Sequence, residues 1–442
     1  MALCFGGMLF LGNLREQMPL FWCLFAGAAA AYCFAIRECG EAPLRMLFLG
    51  GVLFRLIMLG GEPSLSEDVY RYVWDGRVQQ AGINPYLHAP NDEALASLRD
   101  ESVYPRVNHT DVPTIYPPAA QLLFRVAQAV SPTVLSVRIL VVVFDLLGAW
   151  FLLGLLRRFS QPPGQVLIYL WNPLLVVEGA GSGHIDVVAI SFMVMALLYL
   201  HVDGHGRSAA LLALSFLTKL FPVSLLPVLW RWSAWAHLPE PTWKTRAAAL
   251  VNLKLTWPVL VFVGIAALGF WMFGDAGWAM VAGLQTYATH WEFNAPVFDG
   301  LRWMLGDGDS ARKAIGMSFA AVVVVVTFAR RIPPVQAGYY LAGAFLVLTP
   351  TLHPWYALWM LPFLVFYRRP AWLAFTLLAP VSYHVLIRYH ASGVWEEAMW
   401  PRWVLFGGSA LVWMVDGYLA RRHAHGEEES GPASVVPVNG SA

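Results

Sequence analysis

Charge is scarce in this chain. Asp, Glu, Lys and Arg make up 13% of its 442 residues, about half the roughly 25% carried by a water-soluble domain. The charges that remain nearly cancel, at +1, which gives no reason to expect nucleic acid or a strongly acidic partner. Cysteine is nearly absent as well. The four copies, Cys4, Cys23, Cys33 and Cys39, lie in the first hydrophobic region or at its edge and read as small apolar residues, not as a disulfide framework or zinc site. No nucleotide-binding glycine loop or ATP motif occurs. No internal repeat occurs either, which counts against a repeat-built transporter.

What fills the chain is apolar. Hydrophobic residues are 58% of it, and mean hydropathy is +0.56. A bilayer core needs about 20 mainly apolar residues per helix, and stretches of that kind recur from end to end. Expected spans lie near 1–11, 18–36, 44–60, 133–156, 164–177 and 186–201, then 251–273, 314–329, 335–348, 355–366, 372–387 and 403–419. Between the sixth and seventh, 208–230 has cytoplasmic flanks at both ends and reads as a re-entrant pair of half-helices. Pro222 and Pro227 break it, with Thr218-Lys219 near the apex. The reading is an all-α polytopic membrane protein of roughly twelve spans plus this hairpin. Arg157-Arg158, Arg330-Arg331, Arg368-Arg369 and Arg421-Arg422, with Arg37, Arg45, Lys244 and Arg246, fall on one side of the scheme and mark it as cytoplasmic. Both termini then lie inside. Residues 1–421 form the membrane domain, 61–132 its first outer loop, and 422–442 a polar tail expected to be disordered.

The polar residues gather on the outer side. Within 64–78, Asp68, Arg71 and Asp75 share one helical face while Tyr70, Val73 and Trp74 form an apolar stripe, the pattern of an amphipathic helix lying on the membrane surface. Gly82 ends it ahead of Ile83-Asn84-Pro85-Tyr86, and Tyr116-Pro117-Pro118 opens a second surface helix. The glycine-rich turn Glu178-Gly179-Ala180-Gly181-Ser182-Gly183-His184-Ile185-Asp186, the apex Lys219, the segment 290–294 ending in Asn294, and His353-Pro354-Trp355-Tyr356 all point to the same layer. Ionisable groups beside spanning helices are costly and mark functional cavities. Each also has a plain structural reading: Arg71 pairing with Asp68 and Asp75, Lys219 snorkelling to headgroups, Glu178, His184 and Asp186 capping helices. Asn108-His109-Thr110 is an outer-face sequon.

The run Ser66-Glu67-Asp68-Val69-Tyr70-Arg71-Tyr72-Val73-Trp74-Asp75-Gly76-Arg77, followed by Gly82-Ile83-Asn84-Pro85-Tyr86 and Tyr116-Pro117-Pro118, resembles the first outer loop of bacterial GT-C glycosyltransferases. The resemblance is to the polyprenyl-phosphate-mannose-dependent mannosyltransferases, including relatives of the GPI mannosyltransferase catalytic subunit. Trp171-Asn172-Pro173-Leu174, Gly181-Ser182-Gly183-His184, Thr218-Lys219-Leu220-Phe221-Pro222 and His353-Pro354-Trp355-Tyr356 are similar to further motifs of that group. The likeness covers about 61–370. Ile185 departs from the Gly-His-Asn-Asp form frequent in the turn, and the loop 388–402 carries no acceptor motif.

The resemblance implies a GT-C enzyme in the bacterial inner membrane, its site facing the periplasm or exterior. It implies transfer of a hexose, mannose first, from a polyprenyl-phosphate donor to a lipid or glycan acceptor, with inversion, and no cofactor or divalent metal. The carboxylate base carried over by position is Asp68, with Glu67 open as the alternative. Arg71, Tyr72, Asp75, Arg77, Asn84, Tyr86, Tyr116, Glu178, His184, Asp186, Lys219, Asn294, His353, Trp355 and Tyr356 are the expected substrate-binding set. Two other readings remain: a transporter or flippase of a lipid-linked sugar, and a metal site built from Glu67, Asp68, His184 and Asp186.

Overall fold

In a computed structural model the described residues are 1–38, 43–235, 238, 242–329 and 331–429. Their regular structure is helical, joined by loops, with one isolated bridge between Phe293 and Thr351. Cys39, Arg330 and the tail beyond Glu429 lie outside the described residues; the last helix itself runs from Gly408 to Glu429.

Among the described residues six helices are long and apolar enough to cross a bilayer: Met18–Glu38, Val134–Arg158, Leu253–Trp271, Gly308–Phe328, Pro370–Ser392 and Trp400–Arg422. Their burial sorts them by position. Half of the Val134–Arg158 window is buried but only 11% of Trp400–Arg422, so the first is central and the second peripheral. Leu260, Val263 and Leu268 on Leu253–Trp271, and Leu411, Met414 and Val415 on the last helix, are exposed; contiguous apolar surface of this kind suits lipid, not water.

Shorter helices, Ala2–Leu11, Leu44–Leu59, Asp186–His201, His205–Thr218 and Pro334–Leu348 among them, pack in the same bundle. Two expected spans are not continuous helices. Residues 164–177 break into 3₁₀ and α fragments at Asn172-Pro173 and pass into a π-helical turn, Val176–Ser182. The 355–366 stretch is a 3₁₀ segment, Pro354–Met360, followed by Leu361–Leu364. Both are buried almost completely, and an apolar run cannot distinguish a protein-lined core from lipid. The 208–230 segment is a helix, break and helix: His205–Thr218, the extended Lys219, a 3₁₀ turn Phe221–Leu225 and Leu226–Trp235.

Residues at or beside several basic helix ends pack on one another. Phe159, just after Arg157-Arg158, meets His201 and Phe366, and Phe366 leads to Arg368-Arg369. Arg231 donates to the carbonyls of Ala329 and Ile332, flanking another basic stretch.

The expected membrane-surface helix is instead buried. Ten of the thirteen residues of Asp68–Gln80 are buried, Arg71 and Asp75 among them. Gly76 lies so close to the Pro118–Val130 helix that a Cβ there would come within 2.6 Å of the Phe124 carbonyl, and the 93–116 chain covers the other side through Arg71, Arg77 and Trp74. The polar face is sealed because its groups satisfy one another. Arg71 donates to Asp75 at 2.9 Å, and Gln121 and Thr114 donate to the same carboxylate. The helix ends as its sequence anticipates, with Gly82 at φ +78° and the Ile83 N–H bonded to the Val78 carbonyl. Pro118–Val130 is amphipathic, burying Ala120, Phe124 and Ala127 while exposing Val126 and Val130.

Candidate active site

Asp68 opens the Asp68–Gln80 helix, its backbone N–H bonded to the Ser66 hydroxyl at 3.2 Å. Its carboxylate receives the Asn108 amide at 3.0 Å and lies 3.7 Å from His184 Nδ1. Asp68 keeps 18% of its side chain exposed, whereas the two carboxylates of the glycine-rich turn are sealed. Behind Asp68, His184 Nε2 is 3.2 Å from Glu178, which accepts a hydrogen bond from Tyr383 at 2.7 Å. A line of polar groups thus runs inward from the accessible carboxylate: Asp68, His184, Glu178, Tyr383.

The π-helical turn makes this possible. Its wide coil carries Glu178 inward, and the His184 N–H returns to the Glu178 carbonyl at 3.0 Å. Gly183 then reverses the chain at φ +79°, where a Cβ would come within 2.9 Å of Arg138. A side chain at 183 would therefore be strained twice over, and π-turns of this kind concentrate at functional sites. Arg138 clamps the turn from outside by donating to the carbonyls of Ala180, Met58 and Gly61.

A second polar pair flanks the first. Asp186, buried at the start of Asp186–His201, accepts the Trp359 indole N–H at 3.1 Å and pairs with Lys219 at 3.1 Å. The Lys219 ammonium also lies over Tyr116 and Tyr356, 5.5 and 5.9 Å from their ring centres, and its side chain stays 20% exposed. Burial first, then the charges of Asp68 and Asp186, hold the Tyr72 hydroxyl far above its ordinary pKa; burial and Asp68 do the same for Tyr116. Both phenols remain protonated donors.

A stack of aromatic rings continues from His184. His184 stacks on Trp355 at 3.9 Å, Trp355 on His353 at 4.4 Å, and His353 on Phe293 at 5.1 Å. Tyr356 is fixed by a 2.7 Å bond between its hydroxyl and that of Tyr287.

The structure therefore gathers Asp68, Tyr72, Tyr116, Glu178, His184, Asp186, Lys219, His353, Trp355 and Tyr356 in one cluster. The other expected residues are placed elsewhere. Glu67 is held by Arg15 at 2.6 Å. Arg71 spends its guanidinium on Asp75 and the carbonyls of His109 and Val112. Arg77 braces Leu98 and Asp100, Asn84 bonds Asp275 and the Phe273 carbonyl, and Tyr86 donates to the Tyr116 carbonyl. Asn294 bonds Ser382. These residues shape the loops around the cluster. Among the described residues no three His, Cys, Asp or Glu side chains come together so as to hold a metal ion, and with Glu67 turned to Arg15 the four-residue metal set is not assembled.

Asn108, Tyr287, Trp359 and Tyr383 belong to the cluster without having been singled out as site residues. Trp359 and Tyr383 sit in apolar runs where aromatic residues look like interface anchors. Asn108 carried a signal, a polar residue in the outer loop, but only as part of a sequon.

No curated protein and no solved structure matches the chain. One family model does, that of the MptA/B family, described as the alpha-(1->6)-mannopyranosyltransferase N-terminal domain, over residues 17–237. The matched half contains Asp68, Glu178, His184, Asp186 and Lys219. The chain belongs to the MptA/B alpha-(1->6)-mannopyranosyltransferase family, a membrane mannosyltransferase.

Proposed function

We propose that the protein transfers mannose from a polyprenyl-phosphate donor to a glycan or lipid acceptor at the outer face of a bacterial inner membrane, with inversion at the sugar carbon. In this reading an acceptor hydroxyl attacks the anomeric carbon from the face opposite the phosphate, and Asp68 takes its proton. The bond from the anomeric carbon to the phosphate oxygen breaks, and its electron pair leaves with the polyprenyl phosphate. A leaving group already activated as a phosphate ester needs little protonation. Catalysis then reduces to a base for the acceptor and cationic or O–H donors for the extra charge on the departing phosphate.

The observation that carries the reading is the difference among the carboxylates. Asp68 is the member of the cluster with an accessible face, Glu178 and Asp186 are enclosed, and Glu67 is committed to Arg15. Lys219 is the cation best placed for the phosphate, being partly exposed and ringed by Tyr116 and Tyr356. Lys219→Gln should weaken binding of a short-chain polyprenyl-phosphate mannose by about 10–100-fold, the value of a charge-assisted contact. Arg71→Gln should lower folded yield instead, because it removes the charge partner of buried Asp75 together with the bonds that hold the His109 and Val112 carbonyls. Titration of the donor into both purified proteins distinguishes them. Unchanged affinity in Lys219→Gln would remove it from phosphate recognition.

The sidedness of the chain, with the first outer loop opposite the Arg157-Arg158 helix end, can be checked independently. A cysteine replacing half-exposed Asp92 should react with an impermeant thiol reagent added outside sealed cells, and one replacing exposed Ser160 should not. Equal labelling of the two would reverse or abolish the outward-facing site.

A further inference from the structure

Beside the catalytic cluster lies a cavity of about 520 Å³, between the segments 292–302 and 397–407. Phe293, Asp299, Arg302, Glu397, Arg402 and Trp403 are in its wall. It is joined to the first site through a single ring, since Phe293 lines this cavity and stacks on His353, the next ring out from Trp355 and His184.

The wall is built rigidly. Arg402 bridges Asp299 and Glu397, and Arg302 bridges Glu292 and Asp299 at 2.6 and 2.9 Å. Arg312 takes the other oxygen of Glu292. Glu397 also accepts the Asn294 backbone N–H at 2.9 Å, holding that residue in the left-handed region at φ +51°. Bonds from Phe293 N–H to Pro350 and from Leu352 N–H to Phe293 fix the same turn from the other side. A strained non-glycine residue persists only where its surroundings over-determine it, and such positions concentrate at binding sites.

The chemistry of the wall selects among ligands. Three carboxylates, Glu292, Asp299 and Glu397, face two arginines in the lining, and each of those guanidiniums already spans two of the carboxylates. With Arg312 also on Glu292, three carboxylates and three guanidiniums are closed on one another, so an anionic phosphate would find no uncommitted cation, and a prenyl chain would lie against ion pairs it cannot solvate. A neutral polyol fits: its hydroxyls donate to the carboxylates and accept from the guanidiniums, while its C–H faces lie on Phe293 and the exposed indole of Trp403.

We infer that this cavity is a subsite for the non-reacting sugars of a neutral oligosaccharide acceptor, whose terminal hydroxyl reaches Asp68 past the Phe293, His353 and Trp355 rings. The inference rests on the mannosyl-transfer reading for its choice of sugar, but its test does not require turnover. The full chain, reconstituted in nanodiscs without donor, is titrated with mannose and with an α-linked mannotetraose. The parent should bind the tetrasaccharide at least about tenfold more tightly than the monosaccharide, and Trp403→Ala and Asp299→Asn should each erase most of that ratio. Two variants are needed because Asp299→Asn also breaks two ion pairs; Trp403 makes none. Equal affinity of the parent for both sugars, or an undiminished ratio in a folded Trp403→Ala protein, would overturn the subsite. So would a Trp403→Ala protein that loses instead a preference for dodecyl over methyl mannoside, which would assign the cavity to lipid. Tight tetrasaccharide binding by a protein that transfers no mannose would leave the subsite standing and refute the catalytic reading.

Discussion

Asp68→Asn should slow the chemical step of mannose transfer by about 10²–10⁴-fold, the range typical of a lost general base. Asparagine keeps the shape of the side chain and can still meet Asn108, but it cannot accept the acceptor proton. Donor binding should survive or tighten, since removing a negative charge near a phosphate relieves repulsion. Glu67→Gln should cost far less. Its carboxylate is drawn away to Arg15, and as the residue preceding the helix it projects about 100° around the axis from Asp68. Single-turnover transfer by both variants, with donor affinity and folded yield measured alongside, decides the matter. Near-parental transfer by Asp68→Asn with severe loss in Glu67→Gln would move the base one residue upstream. Full activity in both would remove the assignment.

The parts of this site that can be read in the sequence are its charged members beside apolar runs. Asp68, Glu178, His184, Asp186 and Lys219 each stand where an ionisable group is expensive, and expense implies a use. Periodicity also located the Asp68–Gln80 helix and its glycine terminus. It misread the surroundings of that helix, because a polar face is ordinarily a solvated one. Here Asp75 is enclosed by Arg71, Thr114 and Gln121; the Arg71 pairing is legible at i, i+4, but Thr114 and Gln121 come from outside the helix and no local pattern announces that they will seal it. The same limit explains the broken segments at 164–177 and 355–366. Hydropathy measures what a segment avoids, water, without saying whether lipid or protein replaces it. Pro173, Pro354 and Pro362 were the available warnings, and they mark places where backbone groups must be satisfied by neighbouring protein.

Some of the most consequential charges gave no motif at all. Arg55 lies within Leu44–Leu59 and Asp145 near the middle of Val134–Arg158, both in otherwise apolar sequence. They meet at 2.6 Å with neither side chain exposed, and Arg55 also donates to the carbonyls of Gly51 and Leu170, both at 2.9 Å. One side chain therefore ties together the third helix, the central helix and the broken segment that leads to the π-helical turn. Because only one short helical fragment, Pro173–Leu175, separates Leu170 from the turn that carries Glu178, this pair is the anchor from which the His184 turn is hung.

Breaking that anchor on one side should be far worse than removing it. Arg55→Met leaves the Asp145 carboxylate buried and unpaired, a situation that costs about 3–5 kcal/mol, more than a hundredfold in a folding equilibrium and a large share of the stability of an ordinary domain. Asp145→Leu strands the guanidinium in the same way. The double variant Arg55→Met with Asp145→Leu exchanges the ion pair for apolar side chains and should recover much of the loss, since replacing a whole buried pair is often nearly neutral. Thermal unfolding and monodisperse yield in one detergent, measured for the parent, both single variants and the double variant, give the coupling energy directly. Losses that simply add, with the double variant worst of all, would mean that the two residues act separately and that the pair does not hold the turn. Recovered stability without recovered mannose transfer would show a further dependence of the active site on the carbonyls that Arg55 holds, Gly51 and Leu170, which the methionine cannot reach.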